Sequence, residues 1–221
     1  MSEALLPAVE IGPADAEASV IWLHGLGADG HDFEPVVAEL GLAGVRFVLP
    51  HAPPRPVTIN NGYVMPAWYD ILGMDFTAAE DAAGIEQSRQ RIEALIARER
   101  ARGVPAGRLV LAGFSQGGAI ALHTGLRHPE PLAGILALST YLPLADRLPD
   151  ERHPANADTP IFMAHGLHDP VVPLPLAEAS RQRLETLGYR IEWHTYPMEH
   201  GVCSEEIADL RAWLLRVLGE C

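Results

Sequence analysis

The sequence contains no lysine: all sixteen basic residues are arginine. That absence excludes a Schiff-base nucleophile, a Ser-Lys dyad and a phosphate-binding loop of the Gly-Lys-Ser/Thr type. Cysteine is nearly as scarce. Cys203 and Cys221 are the only two, too few and too unpatterned for a disulfide framework or a zinc site. Positive charge is short overall, with a formal charge of −13, which disfavours nucleic acid and anionic membrane surfaces as partners. No apolar run approaches membrane-spanning length, and the N-terminus lacks a basic segment followed by a long apolar stretch. A cytoplasmic protein without stable membrane insertion is expected.

What is present is an ordinary globular balance, 48% hydrophobic and 20% charged over 221 residues. That is enough for one domain, 1–221, with a sizeable core. Strand and helix signals alternate along it. Apolar runs at 19–23, 45–49, 109–111, 132–138, 160–164 and 189–196 read as strands. Between them Phe33, Val36, Val37 and Leu40 recur at helical spacing. Thr77-Ala78-Ala79-Glu80 has capping-box spacing for a helix whose Ile85, Ile92, Leu95 and Ile96 share a face. A helix follows residue 115 to about 126, another covers about 174–187, and Ser204 caps a last one with Ile207, Leu210, Leu214 and Leu218 inward. Residues 50–76 hold no period and read as a long, functional loop. Near-continuous rather than alternating apolar strands predict a mostly parallel sheet with helices on both faces, an α/β fold.

Within this frame one stretch carries chemistry. Leu109-Val110-Leu111 leads into Ala112-Gly113-Phe114-Ser115-Gln116-Gly117-Gly118, and Ala119-Ile120-Ala121-Leu122 continues as a helix. Strand, Gly-x-Ser-x-Gly, helix is the setting of a nucleophile elbow, in which the serine is strained and its neighbours two residues away must be very small. A serine hydroxyl needs a base, and the base an acid, which the α/β-hydrolase order places downstream as serine, acid, histidine. Of the downstream acids, Asp169 alone stands directly beyond a strongly apolar strand, ahead of Pro170 and a new helix. Of the histidines, His123, His128, His153, His165, His168 and His194 lie on helices, within a strand or in other loops. His200 sits between the last strand and the last helix. The expected triad is Ser115, Asp169 and His200. An oxyanion also needs two amides. Gln116 N–H opens the helix, where the dipole assists, and Leu26 N–H in His24-Gly25-Leu26-Gly27 is the second candidate. A metal reading of His165-x-x-His168-Asp169 is disfavoured, because no third ligand cluster accompanies it.

Taken together, His24-Gly25-Leu26-Gly27, Leu49-Pro50-His51-Ala52-Pro53, Pro66-Ala67-Trp68-Tyr69-Asp70, Gly113-Phe114-Ser115-Gln116-Gly117-Gly118, His165-Gly166-x-x-Asp169-x-x-Val172-Pro173 and His200 span nearly the whole chain. In this set the sequence resembles the carboxylesterase/acyl-protein thioesterase (lysophospholipase-like) family of small α/β hydrolases. The resemblance implies an α/β-hydrolase fold and cofactor-free cleavage of carboxylic esters. In some members it implies cleavage of thioesters and lysophospholipids. At Ala28-Asp29 the chain departs from members that carry Asp-Thr, and there it resembles the bacterial carboxylesterase branch, whose members often form homodimers.

The aromatic-rich stretch from Asn61 to Phe76 cannot expose all its apolar side chains without leaving a large patch. Trp68 is expected to anchor it while Leu72 and Met74 line an acyl channel, a place the resemblance also implies. Val172 joins these three as a candidate substrate contact. With one loop and no separate lid domain, the leading expectation is a serine carboxylesterase for short- to medium-chain esters. A thioesterase or lysophospholipase with the same triad is the alternative. A non-catalytic binding protein of this fold would have no need of an intact triad.

Overall fold

The computed structural model describes residues 5–73 and 80–219. Its nine strands are β1 (Ala8–Ile11), β2 (Ala18–Leu23), β3 (Val45–Pro50), β4 (Pro54–Val57), β5 (Tyr63–Pro66), β6 (Leu109–Phe114), β7 (Gly134–Leu138), β8 (Ile161–Gly166) and β9 (Ile191–Tyr196). The helices are α1 (Glu34–Leu40), α2 (Ala82–Ala101), α3 (Gln116–Gly125), the single turn α4 (Leu148–Glu151), α5 (Leu174–Thr186) and α6 (Ser204–Leu218). Seven strands form one sheet in the order β1-β3-β2-β6-β7-β8-β9, and β4 pairs with β5 apart from it. Only the edge strand β1 runs antiparallel within the large sheet.

Successive side chains of a strand point to opposite faces, and β2 sorts accordingly. Ile21 and Leu23 pack with Ile85, Ile92, Leu95 and Ile96 of α2 and with Ala119–Leu122 of α3. Val20 and Trp22 pack with Val37 and Leu40 of α1 and with Leu210, Trp213 and Leu214 of α6. Both faces are covered, which is why the central strands read as unbroken apolar runs. Charge collects at the opposite end of the strands from their carboxyl termini. There Glu99 is fully buried, accepts from Ser19 Oγ at 2.8 Å, and has Arg98, Arg46 and Arg102 within 3.1, 3.5 and 3.6 Å. The planar, multi-donor guanidinium suits such a shared carboxylate better than an ammonium.

Several sequence expectations shift. Strand β1 stands ahead of the first expected strand, and the aperiodic 50–76 stretch contains the β4–β5 pair, with Pro54 opposite Pro66. Helix α2 is capped by the Asp81 side chain, which accepts from Gly84 N. Thr77 of the expected capping box lies outside the described residues. Cys203 takes the cap position of α6 with no side-chain bond, and Ser204 is the first helical residue.

Glu206, in the first turn of α6, is fully buried, and neither carboxylate oxygen has a hydrogen-bond partner. Burial pushes its pKa up to about 8, and the Asp209 carboxylate adds to the rise. The folded state therefore holds a proton that the unfolded state releases above its ordinary value of 4.5. Stability from this group is complete below that value and is lost as pH rises through about 8. Glu206→Gln is expected to flatten this slope, with a higher urea midpoint than wild type above pH 8 and little difference near pH 5, measured by denaturation across pH.

Candidate active site

Four strands deliver their following loops to one place, beyond the carboxyl ends of the parallel sheet. After β6, Ser115 sits at φ 55°, ψ −121°, a conformation that a non-glycine residue holds only under constraint. Its N–H donates to Leu138 O at 2.8 Å, and its carbonyl accepts from Thr140 Oγ1 at 2.6 Å and from Ala119 N at 3.1 Å. A Cβ at Gly113 would lie 2.3 Å from Gly117 C and O, and one at Gly117 would lie 2.3 Å from Leu23 O. Neither position can carry a side chain. The Ser115 hydroxyl is not spent on capping α3.

After β8 comes Asp169, whose side chain is fully buried. Its Oδ1 accepts from Val171 N and Val172 N at 2.8 and 2.9 Å. Its Oδ2 lies 2.7 Å from His200 Nδ1. That contact fixes the tautomer when His200 is neutral: Nδ1 carries the proton and Nε2 is left as the acceptor. The His200 ring lies 4.7 Å, centroid to centroid, from Phe114, the residue before Ser115. No hydrogen bond joins Ser115 Oγ to His200 among the described residues, and such contacts are often loose without substrate.

After β2 the chain passes His24 to Gly27. His24 Nε2 accepts from Ala52 N at 3.0 Å, so Nδ1 donates to Gly25 O at 2.7 Å. Burial lowers the pKa of this ring and keeps it neutral, as that arrangement requires. Gly27 N donates to Pro66 O and Ser115 N to Leu138 O. Leu26 N and Gln116 N, the two amides chosen from the sequence, have no backbone acceptor among the described residues.

Several of the remaining histidines are committed elsewhere. His123 is buried on α3, with its pKa lowered to about 3 chiefly by burial and next by Arg127. His128 bonds Glu93, and His194 lies between Glu192 and Asp209. His165 donates Nε2–H to Val172 O at 2.8 Å. A polar cavity of about 450 Å³ between α2, α3 and α4 is lined by His123, Glu86, Arg89, Arg127 and Arg147 and holds none of the expected site residues.

The expected substrate contacts divide. Trp68 is fully buried rather than lining an open channel. Its N–H donates to Gln116 Oε1 at 2.7 Å, its indole N–H to His24 O at 2.8 Å, and its carbonyl accepts from Ser88 Oγ. Val172 is buried too, and its amide and carbonyl support Asp169 and His165. Trp68 thus anchors the loop as expected, Val172 ties Asp169 to His165, and neither side chain is open to solvent as a substrate contact. Leu72 is 43% exposed and borders a narrow cleft with Tyr69, Ile71 and Tyr141. Tyr141 also lines a cavity of about 360 Å³ with Leu142, Leu144 and Leu176. Met74 lies outside the described residues. The sequence reading gave Gln116 only its backbone amide and missed its carboxamide, which also donates from Nε2 to Tyr69 O at 2.7 Å. Nothing in the local sequence signals that long-range tie.

The chain matches the phospholipase/carboxylesterase family over residues 6–218. It belongs to that family. With the membership come the α/β-hydrolase fold and the class of serine hydrolases. Acyl-protein thioesterase 1 of Mycosarcoma maydis is 42% identical to it, covering 91% of each chain. Acyl-protein thioesterase 1 of Neurospora crassa is 43% identical, covering 95% of this chain and 89% of its own. Among solved structures, Zea mays acyl-protein thioesterase 2 superimposes with a TM-score of 0.88 at 27% identity, covering 96% and 99% of the two chains. These fungal and plant relatives give no support to the expected bacterial carboxylesterase branch of the family.

Gln116→Ala is expected to keep the backbone amide while orphaning Trp68 N–H and Tyr69 O in the interior. The loss should be about 1–3 kcal/mol of stability, read by urea unfolding, with faster proteolytic nicking in 54–73. An unchanged midpoint and cleavage pattern would mean that the carboxamide does not tie the loop down.

Proposed function

We propose that this protein hydrolyses acyl thioesters and carboxylic esters, as a single cytoplasmic domain acting on small acyl substrates, through an acyl-enzyme on Ser115. Ser115 Oγ attacks the acyl carbonyl as His200 Nε2 takes its proton, and Asp169 stabilises the imidazolium that forms. Leu26 and Gln116 N–H hold the oxyanion. Collapse expels the thiol or alcohol, protonated by His200, and a water activated by the same base frees the acid. The observation that carries the proposal is the 2.7 Å bond between Asp169 Oδ2 and His200 Nδ1, with the His200 ring 4.7 Å from that of Phe114, the residue before the strained Ser115. The thioester preference is supported by 42% and 43% identity to proteins named acyl-protein thioesterase 1. It takes precedence here over the carboxylesterase expected from sequence motifs.

Ser115→Ala is expected to lower turnover about a millionfold and Asp169→Asn roughly ten-thousandfold, both remaining folded. Organophosphonate should label the wild type at Ser115. Near-wild-type turnover by Ser115→Ala would falsify the mechanism. Comparison of kcat/KM for matched acyl thioesters and p-nitrophenyl esters tests the preference. Esters cleaved with no thioester hydrolysis above background would return the carboxylesterase reading.

Leu72 is proposed to touch the acyl chain. Each buried methylene contributes about 0.8 kcal/mol, so Leu72→Ala and Leu72→Trp should move the chain-length optimum in opposite directions between acetate and palmitate. An identical kcat/KM profile in both variants removes Leu72 from the channel.

A further inference from the structure

We infer that Phe114 is a positioning residue for the reaction, its ring setting both the plane of the His200 imidazole and the seat of the 24–27 loop. The inference rests on the triad reading above. Phe114 packs with the α1 and α6 side of the sheet, as do Val110 and Ala112 of the same strand. From there its ring reaches two parts of the site that come from different strands. It lies 4.7 Å from the His200 ring at an interplanar angle of 48°, within the range of favourable ring contacts. It also fills the space below Gly25, where a Cβ would meet Phe114 Cδ1 at 3.3 Å and Ser115 Cβ at 3.5 Å.

The bond to Asp169 restrains the imidazole at one atom, and χ2 of histidine has a broad well. A ring against its face removes much of the rotation that remains. Phe114 cannot easily retreat, because Phe33 stands behind it at 5.9 Å and Trp22 behind Phe33 at 5.1 Å. Phe33 ends the short helical turn that closes the 24–33 connection. The row Trp22, Phe33, Phe114, His200 is thus a stack of side chains running from the core to the base.

An error of about 1 Å in the placement of reacting groups can cost a hundredfold in rate. Phe114→Leu should therefore lower kcat by about tenfold to a hundredfold with KM for a short ester little changed. Organophosphonate labelling of Ser115 should slow by a similar factor, since it uses the base but not the acyl pocket. Phe114→Tyr keeps the ring and should restore most of kcat. Leu214→Ala damages the same core from α6, outside the row of rings, and should leave kcat near wild type even if Tm falls.

Wild-type kcat and labelling in Phe114→Leu would overturn the inference, as would an effect confined to KM. Equal losses in Leu214→Ala and Phe114→Leu that track their Tm values would overturn it too, in favour of general core damage. His200→Ala separates the two levels. Full activity in that variant sinks the triad reading and this inference with it. An inactive His200→Ala beside an unimpaired Phe114→Leu sinks this inference alone.

Discussion

The site depends on how closely α3 is pressed against the end of β2. A Cβ on Gly117 would fall 2.3 Å from Leu23 O and 2.5 Å from His24 O. Only a glycine there lets the helix carrying Gln116 N–H approach the loop carrying Leu26 N–H. The same approach holds Ser115 in its strained turn, because β6 must reverse into α3 within one residue. The strain, of order 1–3 kcal/mol for such a conformation, is offset by three hydrogen bonds to the Ser115 peptide group, from β7, from Thr140 and along α3.

Around that contact the 66–70 segment acts as a buried clasp. Trp68 reaches His24 O with its indole and Gln116 with its amide, and Ser88 of α2 reaches the Trp68 carbonyl. Asp70 Oδ1 and Oδ2 accept from Thr58, and Asp70 N donates to Asp81, the cap of α2. The loop over the site is therefore fastened to the elbow, to the 24–27 loop and to α2 at once. The hydrogen bonds of Trp68 lie in the interior, where an unmade partner is costly.

The sheet and the places of the three proposed triad residues were legible because each stands at the end of an apolar run. Ser115 follows β6, Asp169 follows β8, and His200 follows β9, and order along the chain did the rest. Strand β1 was not legible: four residues at an edge, three half-buried and Glu10 exposed, make too short a pattern. The β4–β5 pair was hidden by Pro54, Pro56 and Pro66, which a free-standing two-stranded pair tolerates because each strand has an open edge. Trp68 read as the anchor of its loop, but the partners that hold it lie 44 and 48 residues away and leave no local signal. Val172 read as part of a motif near substrate, whereas its amide is spent on Asp169. Backbone hydrogen bonding leaves little trace in side-chain pattern.

The pairing of β8 with β9 continues past both strands. Leu167 N donates to Tyr196 O and His168 N to Met198 O, while Gly166 lies so close beneath 198–199 that a Cβ would meet Glu199 O at 2.2 Å. The proposed acid and base therefore ride on one zipped ribbon at the sheet edge, whereas the proposed nucleophile rides on β6, two strands away across β7. Thermal loosening at that edge would carry Asp169 and His200 off as a pair, their mutual bond intact. Heat inactivation could then precede global melting, with the acid–base couple still formed and out of register with its nucleophile.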